Sequence, residues 1–343
     1  MARGVLASFI LVIALVFSVS ASAADYGVLA AKEMRIMAAQ FKGRMAGTAQ
    51  EDAAAGYLAG RFREMGYKTS VLPFKHAYEF KKSDGSTGTR DLFSRNVVAV
   101  KPGAWDKTVI VGAHFDTYAP LSEGEIGGPG GPDLEGLDDN ASGVGMLLEL
   151  ADRLKDVQTA DTVVFIAFGA EETGSLGAKS YIERMTMVDC WKAVVMINID
   201  GLITGDKIYF HAGRNTTARE PKAGFARDRA LAIAEKLGIA AETNPGLNVK
   251  YPKGTGCCSD AVPFDMAGVP VLEVEASNWD IGDRSGRKQT DDPALKDGIS
   301  WHLPGVDNPW NLERVLPGRI ERRARDFSRI LTPLVIELAD GVY

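Results

Sequence analysis

Four short apolar runs rich in β-branched residues recur along the middle of the chain: TVIVGAH (108–114), DTVVFIAFG (161–169), KAVVMINID (192–200) and VPVLEVEAS (269–277). Between them lie SGVGMLLELADRLK, SLGAKSYIERM and ARDRALAIAEKLG, in which apolar residues fall three and four apart. A strand apolar on consecutive residues has no face to give to water, so helices must cover both sides of its sheet. The alternation predicts an α/β three-layer sandwich, with a mostly parallel central sheet and helices on both faces. Open sheets of this kind bind ligands beyond the carboxyl ends of their strands.

The flanks are plainer. Helical spacing from Val28 to Met65 is interrupted at Gly43 and Gly47, and two short strands, TSVLPFKHAY and RNVVAVKPG, flank a polar, charged loop. Charged and glycine-rich residues fill Glu275 to Asp307, too long for a simple connector and therefore read as a functional loop. A helical segment from Asn311 to Ala339 closes the chain. With no repeat and no Pro/Ser-rich linker, residues 24–343 read as a single domain.

Ahead of that domain, MARGVLASFILVIALVFSVSASA has the layout of a secretory signal peptide, cleaved near Ala23. Its apolar run falls short of the roughly 20 residues that span a bilayer, which predicts an exported protein, periplasmic or secreted, with no stable membrane anchor. Losing Arg3 takes the formal charge from −6 to −7. That sign is wrong for gripping a nucleic-acid backbone, so no nucleic-acid partner is expected. No feature of the sequence fixes an oligomeric state.

Three of the predicted strands end in a metal-ligand type. VIVGAHFDTY runs into His114 and Asp116, which share a face of an extended chain, so a carboxylate can orient the imidazole of a metal ligand. VVFIAFGAEETG ends in Glu171-Glu172, where an apolar strand emerges and adjacent like charges need a cation. AVVMINIDG ends in Asp200. Singly, each is an ordinary strand end or turn; on one sheet edge they converge. In GLDDNASG, Asp138, Asp139 and Asn140 precede a helix that one capping residue would start, so the surplus carboxylate is free to bridge two cations. Of the four histidines, His76 and His211 read as structural, whereas His302, in the late loop, can fold back over the strand ends. Imidazoles mixed with carboxylates suit zinc better than calcium.

The order H-x-D, D-D-N-A-S-G, E-E, N-x-D and a late His resembles that of the dinuclear-zinc bacterial leucyl aminopeptidases, over essentially the whole mature chain. The resemblance implies a zinc exopeptidase-like fold and two Zn²⁺, one held by His114 and Asp200, the other by Glu172 and His302, with Asp139 bridging. It implies Glu171 as general base, Asp116 as the partner of His114, and a cis peptide at Asp139-Asn140. Substrates would be peptide or protein N-termini. An exported branch with similar late motifs implies removal of N-terminal arginine, which needs an acidic recess somewhere between Asp260 and Asp292. Two departures stand out: Ser259-Asp260-Ala261 replaces the S-D-H of many relatives, and Trp301 stands where some carry a tyrosine that assists the oxyanion. The rival expectations are a single-zinc glutaminyl cyclase, a dinuclear carboxypeptidase or deacylase, and a non-catalytic binding ectodomain. The interval from Asp200 to His302 is too short for the lid domain usual in the second, and the complete ligand set argues against the third.

Cysteine use is sparse. Cys190, Cys257 and Cys258 are an odd number and imply no disulfide framework. The adjacent pair could ligate metal, bridge each other, pair singly with Cys190, or simply fill a tight loop.

Overall fold

A computed structural model describes residues 25–342; the signal peptide expected over residues 1–23 lies outside them. Two helices, α1 (Val28–Gln40) and α2 (Ala49–Glu64), lead into a hairpin of β1 (Lys68–Lys81) and β2 (Thr87–Lys101). The central run follows as β3 (Thr108–His114), α3 (Ser142–Leu154), β4 (Thr162–Phe168), α4 (Leu176–Ile182), α5 (Met187–Lys192) and β5 (Ala193–Ile199). After it come β6 (Lys207–Ala212), α6 (Arg214–Arg219), α7 (Phe225–Leu237), β7 (Ala241–Glu242), α8 (Ala261–Met266) and β8 (Val271–Ser277). The helices α9 (Pro309–Val315) and α10 (Arg319–Ala339) end the chain.

The eight strands form one sheet in the order β1-β2-β4-β3-β5-β8-β6-β7. Its centre, β4-β3-β5-β8, is parallel, as expected, and so is the short β6-β7 pair. Antiparallel pairing enters at β1-β2, β2-β4 and β6-β8, which makes the sheet mixed. Because side chains alternate across a strand, Val109, Val111 and Ala113 of β3 join a core with α1, α2, α3, α7 and α10. Ile110 between them joins a second core, with α4 and α8. Three layers result. The middle of the first layer is α3, buried on nearly every residue because it lies between the sheet on one side and α1 and α10 on the other.

Two details depart from the sequence pattern. The polar stretch between the first two strands is itself strand: the ladder runs on from Arg95 to Thr87, opposite Pro73 to Lys81. This half of the ribbon extends past the sheet and is exposed on most residues, but one face carries Phe74, Tyr78 and Leu92, which pack with Ala170 and Leu176 in a small third cluster. Its tip rests on the loop after β3, where the Lys81 N–H donates to Leu121 O (3.0 Å) and the Ser83 N–H to Glu123 Oε2 (2.7 Å). At the other end, the closing helical segment breaks into α9 and α10 at Gly318, whose φ of +66° favours glycine.

Candidate metal centre

Adjacent parallel strands point their carboxyl ends the same way, and β4, β3 and β5 are neighbours. His114 closes β3 in register with Phe168 of β4, Glu171 and Glu172 follow Phe168 after Gly169 and Ala170, and Asp200 follows β5. Asp139 comes from the irregular turn Leu137–Ala141 that feeds α3, and His302 comes from the long loop after β8. Five side chains picked from segments far apart in sequence thus meet at one edge.

Their geometry divides into two halves. His114 Nε2 lies 3.2 Å from Asp139 Oδ1 and 3.4 Å from Asp200 Oδ1. His302 Nε2 lies 3.1 Å from Asp139 Oδ2 and 3.1 Å from Glu172 Oε2. Each trio gathers its donor atoms within 4.8 Å, and Asp139 belongs to both. Its two oxygens face separate imidazoles, which is what a carboxylate bridging two cations must do.

The electrostatics require positive charge. Burial, reinforced by the charge of Asp139, pushes Glu172 up to about 7. Burial raises Glu171 well above its ordinary range, with Asp260, Glu172 and Asp200 adding to the rise against His114. Burial opposes the His302 imidazolium, yet the Glu172 and Asp139 carboxylates hold its pKa up at about 11. The same contest, won by Asp200, Asp116 and Asp139, raises His114. Glu172 Oε1 is buried with no hydrogen-bond partner. A crowd of carboxylates around two imidazoles, with an orphaned buried oxygen, fits a pair of zinc ions, for which carboxylate and imidazole are ordinary ligands.

The double aspartate of GLDDNASG now has a division of labour. Asn140 does the capping, accepting the Gly143 N–H at Oδ1 (2.9 Å) and donating to Ile199 O (2.9 Å). Asp139 faces the centre, and the expected cis peptide joins it to Asn140. Asp138 turns the other way, accepting from the Ile203 N–H (2.7 Å) and Gln289 Nε2 (2.7 Å), which ties the turn to the late loop. Asp307 receives the N–H groups of both Asp138 (2.7 Å) and Asp139 (3.1 Å). Buried Arg44 grips the carbonyls of Phe115, Glu135 and Gly136 (2.6, 2.6 and 2.8 Å), fixing the exit of β3 against that turn. Neither Asp307 nor Arg44 was singled out by sequence reasoning.

Asp116 sits where expected but does more than expected. Its Oδ1 is 3.6 Å from His114 Nδ1, beyond hydrogen-bond length, while its two oxygens accept the N–H groups of Glu171 (2.9 Å) and Glu172 (3.2 Å). It therefore sets the Glu171-Glu172 turn. Ser259 Oγ donates to Asp200 Oδ2 (2.6 Å), and Asp260 beside it is wholly buried with neither carboxylate oxygen hydrogen-bonded. Burial, then Asp116 and Asp200, raises Asp260 well above its ordinary range against the pull of His114. Cys257 and Cys258 bridge each other and line the cleft over the centre, while Cys190 stays free. Trp301 lines the same cleft. His76 lies away on β1, 3.6 Å from Glu183 Oε2. His211, fully buried on β6, contacts Glu275 Oε1 at 3.0 Å and accepts the Asn244 N–H at Nδ1 (3.1 Å). Both stand apart from the two trios.

This metal-gathering strand edge on a helix-covered mixed sheet is the architecture of a zinc exopeptidase, and residues 96–327 match the model of Peptidase family M28. The chain belongs to that family. It is 44% identical to the alkaline phosphatase isozyme conversion protein of Escherichia coli over 335 residues, 97% of this chain and 96% of that protein. Among solved structures, it is similar to BSAP, a zinc aminopeptidase from Bacillus subtilis, with a TM-score of 0.66 and 17% identity over 92% of this chain and 97% of that one. It is also similar to the glutaminyl cyclase of Porphyromonas gingivalis, with a TM-score of 0.62 and 19% identity over 91% and 98%.

Proposed function

We propose that this M28 enzyme is a dinuclear-zinc aminopeptidase, one domain over residues 24–343, that hydrolyses the first peptide bond of peptides or proteins. His114 and Asp200 would hold one zinc, Glu172 and His302 the other, and Asp139 would belong to both. The observation that carries the reading is Asp139 presenting one oxygen to each imidazole. Bound there, zinc would supply Lewis-acid polarisation of the scissile carbonyl and a water made more acidic. Glu171 lies next to a ligand, belongs to neither trio and lines the cleft. Its raised pKa suits a group that takes the water's proton and returns it to the leaving amine. Asp116 positions that carboxylate through the backbone. The substrate's free ammonium group belongs among the site carboxylates, which limits cleavage to N-termini.

The test is zinc content measured together with hydrolysis of a panel of aminoacyl-nitroanilides, with N-acetylated versions as controls. Two zincs per chain and silence on the blocked substrates are expected; equal rates on blocked substrates remove the exopeptidase assignment. The glutaminyl cyclase reading has the fold likeness in its favour and predicts one zinc and cyclisation of N-terminal glutamine. Two complete trios favour the aminopeptidase.

The cleft also speaks to the first side chain. It encloses about 570 Å³, and beyond the proposed metal ligands it is lined by Glu273, Glu275, Tyr251 and Trp279, with the exposed Arg287 also on its wall. Glu273 and Glu275 share a face of β8. Glu275 is taken up by His211 and by Trp279 Nε1 (2.5 Å), whereas no Lys or Arg among the described residues pairs with either carboxylate. This recess supports arginine, or another cationic residue, as the preferred first residue. Glu273→Gln should lower kcat/KM for arginyl-nitroanilide about tenfold relative to the leucyl substrate, the scale of one charge-assisted hydrogen bond. An unchanged ratio would remove Glu273 from specificity. Export also belongs to this reading: cleavage near Ala23 should appear as a mature N-terminus on sequencing the protein recovered outside the cytoplasm. Among the described residues, no helix is long and apolar enough to cross a membrane.

A further inference from the structure

A histidine that holds a metal is ordinarily fixed by a hydrogen bond from its other ring nitrogen to a carboxylate or carbonyl. His302 is held differently. The ion pairs of its ring run through Nε2, toward Asp139 and Glu172. Its residue sits at φ +61°, a conformation a side chain larger than glycine adopts only when its surroundings hold it there. About a third of the side chain is open to solvent, whereas His114, whose Nδ1 also has no hydrogen-bond partner, is walled in at 1% exposure.

What holds it is Tyr118. The two rings stack with centroids 4.1 Å apart and planes 15° from parallel. The tyrosine is in turn tethered at both ends. Its hydroxyl donates to Glu125 Oε2 (3.0 Å), which also accepts the Leu121 N–H (2.7 Å). Its carbonyl accepts the Gly131 N–H (3.1 Å), and the neighbouring Gly130 N–H donates to the His302 carbonyl (2.7 Å). The loop carrying Tyr118 thus grips His302 by ring and by backbone. Gly130 must be glycine for this approach, since it has φ +76° and a Cβ there would lie 2.4 Å from Tyr118 O.

We infer that Tyr118 is the positioning residue of the Glu172/His302 metal half, its ring standing in for an orienting hydrogen bond that no described side chain gives His302 Nδ1 and setting the plane in which Nε2 would meet the cation. The inference rests on the dinuclear reading above. It also makes the two halves unequal: the His114 half is fixed by burial, and the His302 half by one aromatic face on a surface loop that the β1-β2 tip supports.

The experiment measures zinc affinity by competition with a chromophoric chelator, and the visible spectrum of the cobalt(II) form, for wild type, Tyr118→Phe, Tyr118→Leu and Tyr118→Ala. Loss of an orienting contact to a ligand typically weakens metal binding about 10–100-fold. The expected result is that Ala and Leu weaken one of the two zincs by about that factor, change the cobalt spectrum of that half alone, and leave the tighter zinc within about threefold of wild type. Phe, which keeps the stack and loses only the hydroxyl, should restore both. Both zincs held as in wild type by Leu and Ala, both weakened together, or Phe as damaging as Ala would each overturn the inference. Leu fills the space of the ring and guards against misfolding, checked by circular dichroism of the zinc-free proteins. Wild type binding two zincs without cleaving any aminoacyl substrate would sink the peptidase reading and leave this one standing; wild type binding a single zinc would sink both.

Discussion

Glu171→Gln should keep both zincs and lower kcat by about 10²–10⁴-fold, the range a positioned general base contributes. Glutamine has the volume of glutamate, and the backbone of residue 171 is already fixed by its N–H bond to Asp116, so the fold has no reason to move. What disappears is the oxygen lone pair that accepts a proton. Because Glu171 belongs to neither trio, metal content should stay at two per chain and KM should change little. The measurement is steady-state kinetics beside elemental analysis on the same preparation. Near-normal turnover would remove the base assignment, and loss of a zinc would turn Glu171 into a ligand.

Asp139→Ala should act on both metals together. Each trio loses one of its three donors, and the proposed metal pair would lose the one carboxylate common to both trios. His302→Ala, by comparison, removes a donor from one trio. The expected contrast is fewer than one zinc per chain and no detectable turnover for Asp139→Ala, against about one zinc and residual turnover for His302→Ala. Equal zinc content in the two variants would contradict the bridging role. Asp139→Asn makes a useful companion, because it keeps the shape and removes the charge. If the bridge works through charge, Asn should resemble Ala.

Much of the centre could be read from the chain because its proposed ligands follow strands whose pattern is strong. His114, Glu172 and Asp200 each follow a run of apolar residues that cannot face water, and the rule that strand ends host ligands then places them together. Asp139 was legible for another reason, as one carboxylate more than a helix start needs. His302 was found by elimination among four histidines. The supports were hidden because they depend on distance in space alone. Arg44 is a buried cation that satisfies backbone carbonyls around residues 115–136, and Asp307 accepts two N–H groups from residues about 170 positions earlier. Tyr118 differs from any loop tyrosine only by the ring it meets. In the fold, the β1-β2 ribbon was shortened in prospect because the apolar residues of its outer half, Phe74, Tyr78, Phe80 and Leu92, are few and set among charged ones, and its hydrogen-bonded ladder leaves no periodic mark of its own.

The sheet order puts β1 at one margin and β7 at the other. A bare strand margin is a template on which a second molecule can add its own backbone, the first step toward fibrils. Here β7 has only two residues to offer, and β1 interrupts its row of donors with Pro73 and carries Lys68, Lys75 and Lys81 along its length. Both margins are therefore blunted, one by brevity and one by charge and a missing N–H, so the long ribbon can reach into solvent and brace the loop after β3 while offering a poor template for an added strand.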